Sequence, residues 1–121
     1  MAGMLVADIH HVSINVSDTA RALEFYNGVL GLGVLPRPDI AVGGAWLDAG
    51  NGRQLHLIEG DVPPSLGQHF AFLVDDVDAV VGQLRAAGVD VSDAKPVGDT
   101  TIRQAFMRDP DGNLLELSQP A

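Results

Sequence analysis

Apolar and polar residues alternate along two short stretches of the chain, and each stretch opens with a histidine. The first runs over Ile9–Val16 and the second over His69–Val74. An alternation with a period of two is typical of a half-buried β-strand. Each strand is followed by an Asp and then by apolar residues at helical spacing, which predicts a capped helix. The predicted caps are Asp18 and Asp76, the apolar stripes are Ala22, Phe25, Tyr26 and Val29 and then Val77, Val80, Val81 and Leu84, and Gly31 and Gly88 end the helices.

The two halves of the chain repeat each other. An offset of 58 residues places His11–Asp18 on His69–Asp76, and an offset of 60 places Leu55–Leu57 on Leu115–Leu117. Two matches in the same order at nearly the same offset indicate an internal duplication. Each helix is followed by further predicted strands, at Val42–Ala49, Gln54–Glu59, Ile102–Arg108 and Asn113–Ser118, with weaker ones near Leu32–Pro36 and Val89–Ser92.

The predicted fold is therefore α+β, with two tandem βαβββ modules. Module one covers about residues 8–60, module two covers about residues 67–121, and the Pro-containing segment Gly60–Gly67 links them. Together they are expected to make one domain over residues 1–121. The predicted hairpins turn at Gly50–Gly52 and at Asp109–Gly112, which contain the residues that tight turns favour.

Four polar side chains occupy equivalent positions in the two modules, on the strand faces opposite the apolar stripe. They come from the first and last strand of each module: His11, His56, His69 and Glu116. Two sheets that face each other would bring all four to one concave surface. His10 falls on the Val12 side of the alternation, so we expect it to be structural or peripheral.

Three imidazoles and a carboxylate form a suitable ligand set for a divalent first-row metal ion. Without His56, the remaining two histidines and one glutamate match the facial set of non-haem Fe(II) enzymes. Taken singly, a histidine on a strand is usually a surface or hydrogen-bonded residue. The metal hypothesis rests on three of the four histidines and one of three glutamates lying at positions related by the repeat.

Composition narrows the choice of partners. The chain has 121 residues, with seven basic and sixteen acidic side chains, a net charge of −9 and no cysteine. The acidic excess argues against binding to nucleic acid or to an anionic membrane. The lack of cysteine excludes disulfides, zinc fingers and thiolate nucleophiles, so a metal must use His, carboxylate or water. The residues before the first strand lack the features of a signal peptide, and a cytoplasmic location is expected.

These motifs resemble the vicinal oxygen chelate superfamily, which includes glyoxalase I, extradiol dioxygenases, fosfomycin-resistance proteins, methylmalonyl-CoA epimerase and bleomycin-resistance proteins. The resemblance covers nearly the whole chain. Its motifs are Ile9–Val12, Phe25-Tyr26 with Val29–Leu32, His69–Phe72 with Val74–Asp76, and Phe106–Leu117. It implies a cup-shaped mixed sheet with the helices outside, one divalent metal per site (Zn, Ni, Co, Mn or Fe), a small-molecule substrate and a homodimer.

The resemblance also implies roles for individual residues. His11, His69 and Glu116 match the ligand positions, with His56 at a fourth position where glyoxalase I usually has a carboxylate. The modules that build one cup belong to one chain in some members and to two chains in others. Sequestering proteins of the bleomycin-resistance type generally lack the ligands, and extradiol dioxygenases usually have further catalytic residues.

Three functions stay open from the sequence. The first is a metal-dependent lyase or isomerase in which Glu116 is a ligand and a displaceable base. The second is an Fe(II) extradiol-type dioxygenase, and the third is a non-catalytic small-molecule or antibiotic-binding protein. The expected substrate-binding residues are Arg103, the best placed of the scarce cations, and Trp46 and Phe106, which could line an apolar pocket.

Overall fold

The structure is a computed structural model that describes residues 3–121, and it divides into two compact units. The first unit ends at Asp61 and the second runs from Val62 to Ala121. Each contains one helical segment and a four-stranded mixed sheet, which confirms the predicted α+β fold. The elements are β1 (His11–Val16), α1 (Thr19–Leu23), a π-helical segment (Glu24–Val29), β2 (Gly33–Leu35), β3 (Gly44–Gly50), β4 (Arg53–Glu59), β5 (Phe70–Leu73), α2 (Val77–Ala86), β6 (Lys95–Pro96), β7 (Arg103–Arg108) and β8 (Leu114–Gln119).

The sheet of the first unit has the strand order β1-β4-β3-β2. β1 runs parallel to its neighbour β4, and the other pairs are antiparallel. One face of this sheet packs against α1. The buried apolar residues of the unit are Val16, Ala22, Phe25, Tyr26, Leu32, Ala45, Leu47, Leu55 and Leu57. Because Leu55 and Leu57 face this core, His56 between them points to the other face, as the alternation predicts.

The helix of the first unit differs from its prediction. It begins as expected, with the Asp18 carboxylate accepting a hydrogen bond from the backbone N–H of Arg21. From Glu24 onward it widens into a π-helix, and the backbone N–H of Leu30 reaches the carbonyl of Phe25, five residues back. The wider turn rotates the last residue of the predicted stripe away from the core, and Val29 is 39% exposed.

The second unit repeats this plan with the strand order β5-β8-β7-β6. The Asp76 carboxylate caps α2 by accepting from the backbone N–H of Ala79. β5 and β8 are parallel, and α2 packs on β7 and β8. The buried apolar residues are Val77, Val81, Leu84, Val91, Ala105, Met107, Leu115 and Leu117. The alternation in β8 again leaves Glu116 on the face opposite this core.

The strand predicted at Val89–Ser92 is wrong, because this segment contributes only an isolated bridge between Val91 and Met107. The hydroxyl of Ser92 accepts a hydrogen bond from the backbone N–H of Phe106. A side chain that accepts a hydrogen bond from the backbone N–H of a strand competes with the pairing of that strand. The short strand forms instead at Lys95–Pro96, while β1 and β5 begin later than predicted, at His11 and Phe70.

Each unit closes its last two strands with a tight hairpin. In the first, Asn51 has a positive φ of 54°, which asparagine tolerates in a tight turn. In the second, the buried Asp109 carboxylate accepts from the backbone N–H groups of Asp111 and Asn113 and from the Asn113 side-chain amide. Within residues 3–121, no helix has the length and apolar character needed to cross a membrane.

Candidate functional site

A stack of aromatic rings crosses the first sheet on the face opposite its core. Trp46 on β3 pairs in register with His56 on β4, and their rings lie parallel at 4.3 Å between centroids. The ring of His11, at the start of β1, stacks on the other side of His56 at 4.1 Å. The structure therefore brings together three of the predicted site residues of the first unit.

His10 extends this cluster, contrary to the expectation that it lies on the Val12 side. β1 begins only at His11, so the alternation of the strand does not reach His10. Its Nδ1 lies 2.8 Å from Nδ1 of His11, and the two rings meet edge to face. One of these nitrogens donates and the other accepts. When the Nδ1–H of His11 donates, its Nε2 keeps the lone pair that a metal needs.

His56 is held on both sides and at one edge. It is only 8% exposed, and its Nε2–H donates to Oε1 of Gln54 at 2.8 Å. Burial, followed by the charges of His11, His10 and Arg37, lowers the pKa of His56 below 6.5. The imidazole is therefore held neutral, which suits a metal ligand or a hydrogen-bonding wall residue.

The second unit joins its two predicted ligands directly. Nε2 of His69 lies 3.0 Å from Oε1 of Glu116, and Nδ1 of His69 donates to the carbonyl of Gly67 at 2.9 Å. The hydrogen bond to Gly67, followed by that to Glu116, raises the pKa of His69 above 6.5. Phe106 pairs in register with Glu116, and its ring meets His69 edge to face at 5.6 Å.

The His69–Glu116 pair fits a divalent metal by its donor chemistry. Both ring nitrogens of His69 face oxygen acceptors, but a neutral imidazole carries a single N–H. The second contact therefore needs a proton or another cation between Nε2 and the carboxylate. The 3.0 Å between Nε2 and Oε1 is a hydrogen-bond distance, and an imidazole nitrogen and a carboxylate oxygen are donor types that Zn²⁺ and related ions bind. The bond from Nδ1 to a backbone carbonyl is the usual support of a metal-bound histidine.

The His11–His56 pair is less suited to bind a metal than the His69–Glu116 pair. The lone pairs of an imidazole lie in its ring plane, and the planes of His11 and His56 are only 15° from parallel. Nε2 of His56 is also occupied by Gln54. Binding through both rings would require one of them to turn. Over residues 3–121, His, Asp and Glu side chains form no group of three or more with metal-binding spacing, and the four predicted ligands lie in two pairs.

Arg103 lies apart from these pairs. In β7 it shares the face of the buried Ala105, whereas Phe106 shares the face of Glu116. Its guanidinium makes two hydrogen bonds to the carboxylate of Asp78 on α2, at 3.0 and 3.1 Å, and one to the carbonyl of Ala94. The structure therefore places this arginine in a helix-to-sheet ion pair, away from the face that carries Glu116.

A small pocket lies beside Phe106 in the second unit. Its volume is about 290 Å³, and its lining includes a cation, a carboxylate, a hydroxyl and an amide. Gln104 lines it from the face of β7 that also carries Phe106, whose ring contacts His69. The lining residues are Ser92, Asp93, Lys95, Gln104 and Phe106.

Sequence reasoning missed the residues that support the predicted ligands. Gln54 lies two positions before His56, a spacing that places both on one strand face, and this signal could have revealed their contact. Gly67 acts through its backbone carbonyl, which leaves no trace in residue type. The strand predicted near Val89–Ser92 includes the pocket residue Ser92, and no sequence pattern singles out Lys95.

This architecture and these residues agree with one protein family. The model of the Glyoxalase/Bleomycin resistance protein/Dioxygenase superfamily matches residues 8–117. The chain belongs to this superfamily, as its sequence motifs indicated.

Known relatives have different functions. A probable lactoylglutathione lyase of Vibrio parahaemolyticus is 32% identical, over 92% of this chain and 89% of its own. TnmS3, an antibiotic-binding protein from Streptomyces, is 31% identical in sequence. Its crystal structure matches with a TM-score of 0.81, and the match covers 98% of this chain and 100% of TnmS3. A putative glyoxalase family protein from Bacillus anthracis shares the fold, with a TM-score of 0.87 at 24% identity over 99% and 100% of the two chains.

Proposed function

We propose that this protein is a divalent-metal-dependent lyase or isomerase that acts on a small substrate with two adjacent oxygen atoms. The observation that carries the proposal is the His69–Glu116 pair, with Nε2 and Oε1 3.0 Å apart and the imidazole anchored to Gly67. The similarity to a probable lactoylglutathione lyase supports the reaction class. His11 would complete a set of two histidines and one carboxylate, and His56 would be a fourth ligand after its ring turns.

A metal bound by these residues would supply a Lewis acid that polarises a substrate oxygen. The protein itself would handle the proton. The Glu116 carboxylate can take a proton from a carbon next to a carbonyl and return it to the neighbouring carbon. This transfer leaves Glu116 unchanged and needs no oxidant or reductant.

Glu116 lies on a half-buried sheet face beside an aromatic ring, and its side chain is 16% exposed. Phe106 and Trp46 are placed to form apolar walls on the two sheet faces that carry the ligand pairs. We therefore retain both as substrate-binding residues, with Glu116 as the catalytic base.

The decisive experiment is metal analysis of purified, untagged protein after reconstitution with Zn, Ni, Co, Mn or Fe(II). We expect about one metal ion per chain in the wild type and loss of metal in His69→Ala and Glu116→Gln. Glu24→Gln, which removes an exposed carboxylate from the helix, is the matched control and should keep its metal. Wild-type metal content in both site variants, or no metal in any reconstituted sample, would refute the proposal.

Activity assays then separate the enzyme classes. Formation of the thioester lactoylglutathione from methylglyoxal and glutathione tests the reaction that the Vibrio relative's name suggests. Oxygen consumption on a catechol by the Fe(II) form would instead favour the dioxygenase alternative. Glu116→Gln should abolish the isomerase reaction even when excess metal is supplied.

A non-catalytic antibiotic-binding protein is the second candidate, because the Streptomyces relative binds an antibiotic and the first sheet carries a row of stacked rings. Trp46 is the single tryptophan of the chain, so its fluorescence reports on this surface alone. Saturable binding of bleomycin to metal-free protein, unchanged in Glu116→Gln, would favour this function. Dependence of ligand binding on metal and on Glu116 would favour the enzyme.

A further inference from the structure

Arg37 has no carboxylate partner in the described chain, whereas three other arginines do. Arg53 pairs with Asp8, Arg85 with Asp93, and Arg103 with Asp78, each at 3.0 Å or less. Nη2 of Arg37 donates to the carbonyl of Val42 at 2.5 Å, whereas its Nε is buried without a hydrogen-bond partner.

Arg37 lies close to the strand that carries Trp46. Leu35 at the end of β2 pairs with Trp46, which in turn pairs with His56. Arg37 follows two residues later, beyond the end of β2, so its place is shown by its contacts and not by the strand alternation. A Cβ added at Gly44, two residues before Trp46, would lie 3.4 Å from Nη2 of Arg37. The guanidinium therefore lies over Gly44, next to Trp46.

Gly44 allows this close approach. Its φ is +155°, and a Cβ there would lie 2.0 Å from the carbonyl oxygen of Leu57. A residue with a side chain is thus excluded, and the space above the strand is left to Arg37. The charge of Arg37 also contributes to the lowered pKa of His56, which agrees with its place close to this strand.

A buried guanidinium N–H without an acceptor is unfavourable and is usually explained by a missing ligand or water. The planar guanidinium of arginine can donate two parallel hydrogen bonds to the two oxygens of a carboxylate. Among small anions, carboxylate and phosphate fit this geometry best. In a chain with sixteen acidic residues, an arginine left without a carboxylate beside Trp46 is suited to an anion from outside.

We propose that Arg37 is a substrate-binding residue that holds the carboxylate of a small substrate beside the Trp46–His56 stack. That the substrate also carries two adjacent oxygen atoms rests on the proposed function. Anion binding at Arg37 itself needs no metal. The substrate class is then a small carboxylic acid with a neighbouring pair of oxygen atoms, and Arg37 takes the role that the sequence suggested for Arg103.

Two probes that differ in one group test the proposal. Hydroxypyruvate and hydroxyacetone both carry adjacent carbonyl and hydroxyl oxygens, and only hydroxypyruvate has a carboxylate. Trp46 fluorescence of metal-loaded protein should show about tenfold tighter binding of hydroxypyruvate, as expected for one charge-assisted pair. Arg37→Gln should lower this preference to about twofold or less and leave hydroxyacetone binding unchanged.

Arg108→Gln is the matched control, because that guanidinium bonds Ser65 and the carbonyl of Gly112 in the second unit and should not affect the preference. Arg37→Lys keeps the charge without the fork and should fall between wild type and Arg37→Gln. An unchanged preference for hydroxypyruvate in Arg37→Gln would overturn the proposal. An equal loss of affinity for both probes would overturn it as well.

A metal-free arm separates this inference from the proposed function. Pyruvate added to metal-free protein should shift the NMR signal of the Arg37 Nε–H saturably, with no such signal in Arg37→Gln. If this shift occurs but no metal binds, the proposed function fails and the anion site stands. The same shift from chloride at equal concentration would identify an adventitious ion only and would overturn the proposal.

Discussion

At the scale of single residues, the tautomers of the histidines decide which nitrogens are available to a ligand. Nδ1 of His69 is committed to a carbonyl, and Nε2 of His56 to an amide oxygen. Nδ1 of His11 faces a second imidazole, that of His10. Each of these contacts leaves one nitrogen of the ring for metal or substrate, so the residues around the predicted ligands determine how they can act.

His10 should therefore affect metal binding although it is not a predicted ligand. We expect His10→Ala to weaken affinity for Zn or Co about tenfold, the lower end of the effect of removing a partner of a metal-bound histidine. His10→Gln keeps an acceptor oxygen and should retain most of the affinity. Competition with a chromophoric chelator measures both. Wild-type affinity in His10→Ala would show that the contact with His11 has no such role.

In metal-free protein, the pKa of the buried His56 should lie below 6.5 and the pKa of the paired His69 should lie above 6.5. Burial and neighbouring charges lower the pKa of His56, and hydrogen bonds to Gly67 and Glu116 raise the pKa of His69. Imidazole NMR signals followed over pH measure each pKa directly. In Glu116→Gln the pKa of His69 should fall towards 6.5, while that of His56 should not move.

These shifts have opposite consequences for stability. The raised pKa of His69 contributes stability that is present below pH 6.5 and is lost as pH rises through its folded pKa. The lowered pKa of His56 contributes stability that is present above pH 6.5 and is lost as pH falls through its folded pKa. The Glu116→Gln variant should therefore lose stability relative to wild type mainly on the acidic side of pH 6.5.

At the scale of elements, the two hairpins differ in how their turns are held. Asp109 is 5% exposed and accepts three hydrogen bonds, whereas the exposed Asp48 accepts one, from the backbone N–H of Gly50. We expect Asp109→Ala to cost roughly 1–3 kcal/mol of unfolding free energy, because it leaves the half-buried N–H groups of Asp111 and Asn113 without this acceptor. Asp48→Ala should cost less than about 1 kcal/mol.

Urea unfolding of both variants measures these costs from the midpoint at a constant m-value. Glu116 lies three residues after Asn113, so Asp109→Ala should also weaken metal binding by loosening the start of β8. Equal stabilities of the Asp48 and Asp109 variants would contradict the assigned role of the buried turn.

The elements that were predictable from sequence are those set by local rules. The Asp18 and Asp76 caps, the turn residues and the alternation around His56 and Glu116 act within a few positions of the chain, and all are found as expected. The departure into π-helix after Glu24 depends instead on hydrogen bonds one residue longer than the α-helical spacing. Nothing in the apolar stripe distinguishes the two helix types.

The site was predictable only as far as the strand faces define it. Alternation and the repeat place His11, His56, His69 and Glu116 on their sheet faces. The ion pair of Arg103 with Asp78 depends on how α2 packs on β7, which no local pattern encodes. The same holds for Arg37, whose side chain reaches back over Gly44 from a segment without regular structure.

At the scale of the whole molecule, the duplication gives each unit a row of three side chains at equivalent positions. Trp46, His56 and His11 in the first unit correspond to Phe106, Glu116 and His69 in the second. The first row is aromatic, and the second contains the carboxylate. With the proposed functions, divergence of the two copies would have separated stacking and anion binding in the first unit from metal and proton chemistry in the second.

This division predicts that both pairs serve one metal site. Each pair supplies two protein ligands, and first-row metals in catalytic sites generally take at least three. The variant His11→Ala with His56→Ala should therefore lose its metal although His69 and Glu116 are intact. The reciprocal variant, His69→Ala with Glu116→Gln, should lose it as well. Two independent sites would instead leave each variant with about half of the wild-type metal.

Mixing these two metal-free variants extends the test to the homodimer that we propose. If each site takes one pair from each of two chains, a mixed dimer contains one site with all four ligands intact, and metal binding returns after the chains exchange. If both pairs belong to one chain, every site in the mixture lacks two ligands and no metal binds. Metal content of the isolated mixed dimer, measured beside each variant alone, therefore assigns the two pairs to one chain or to two.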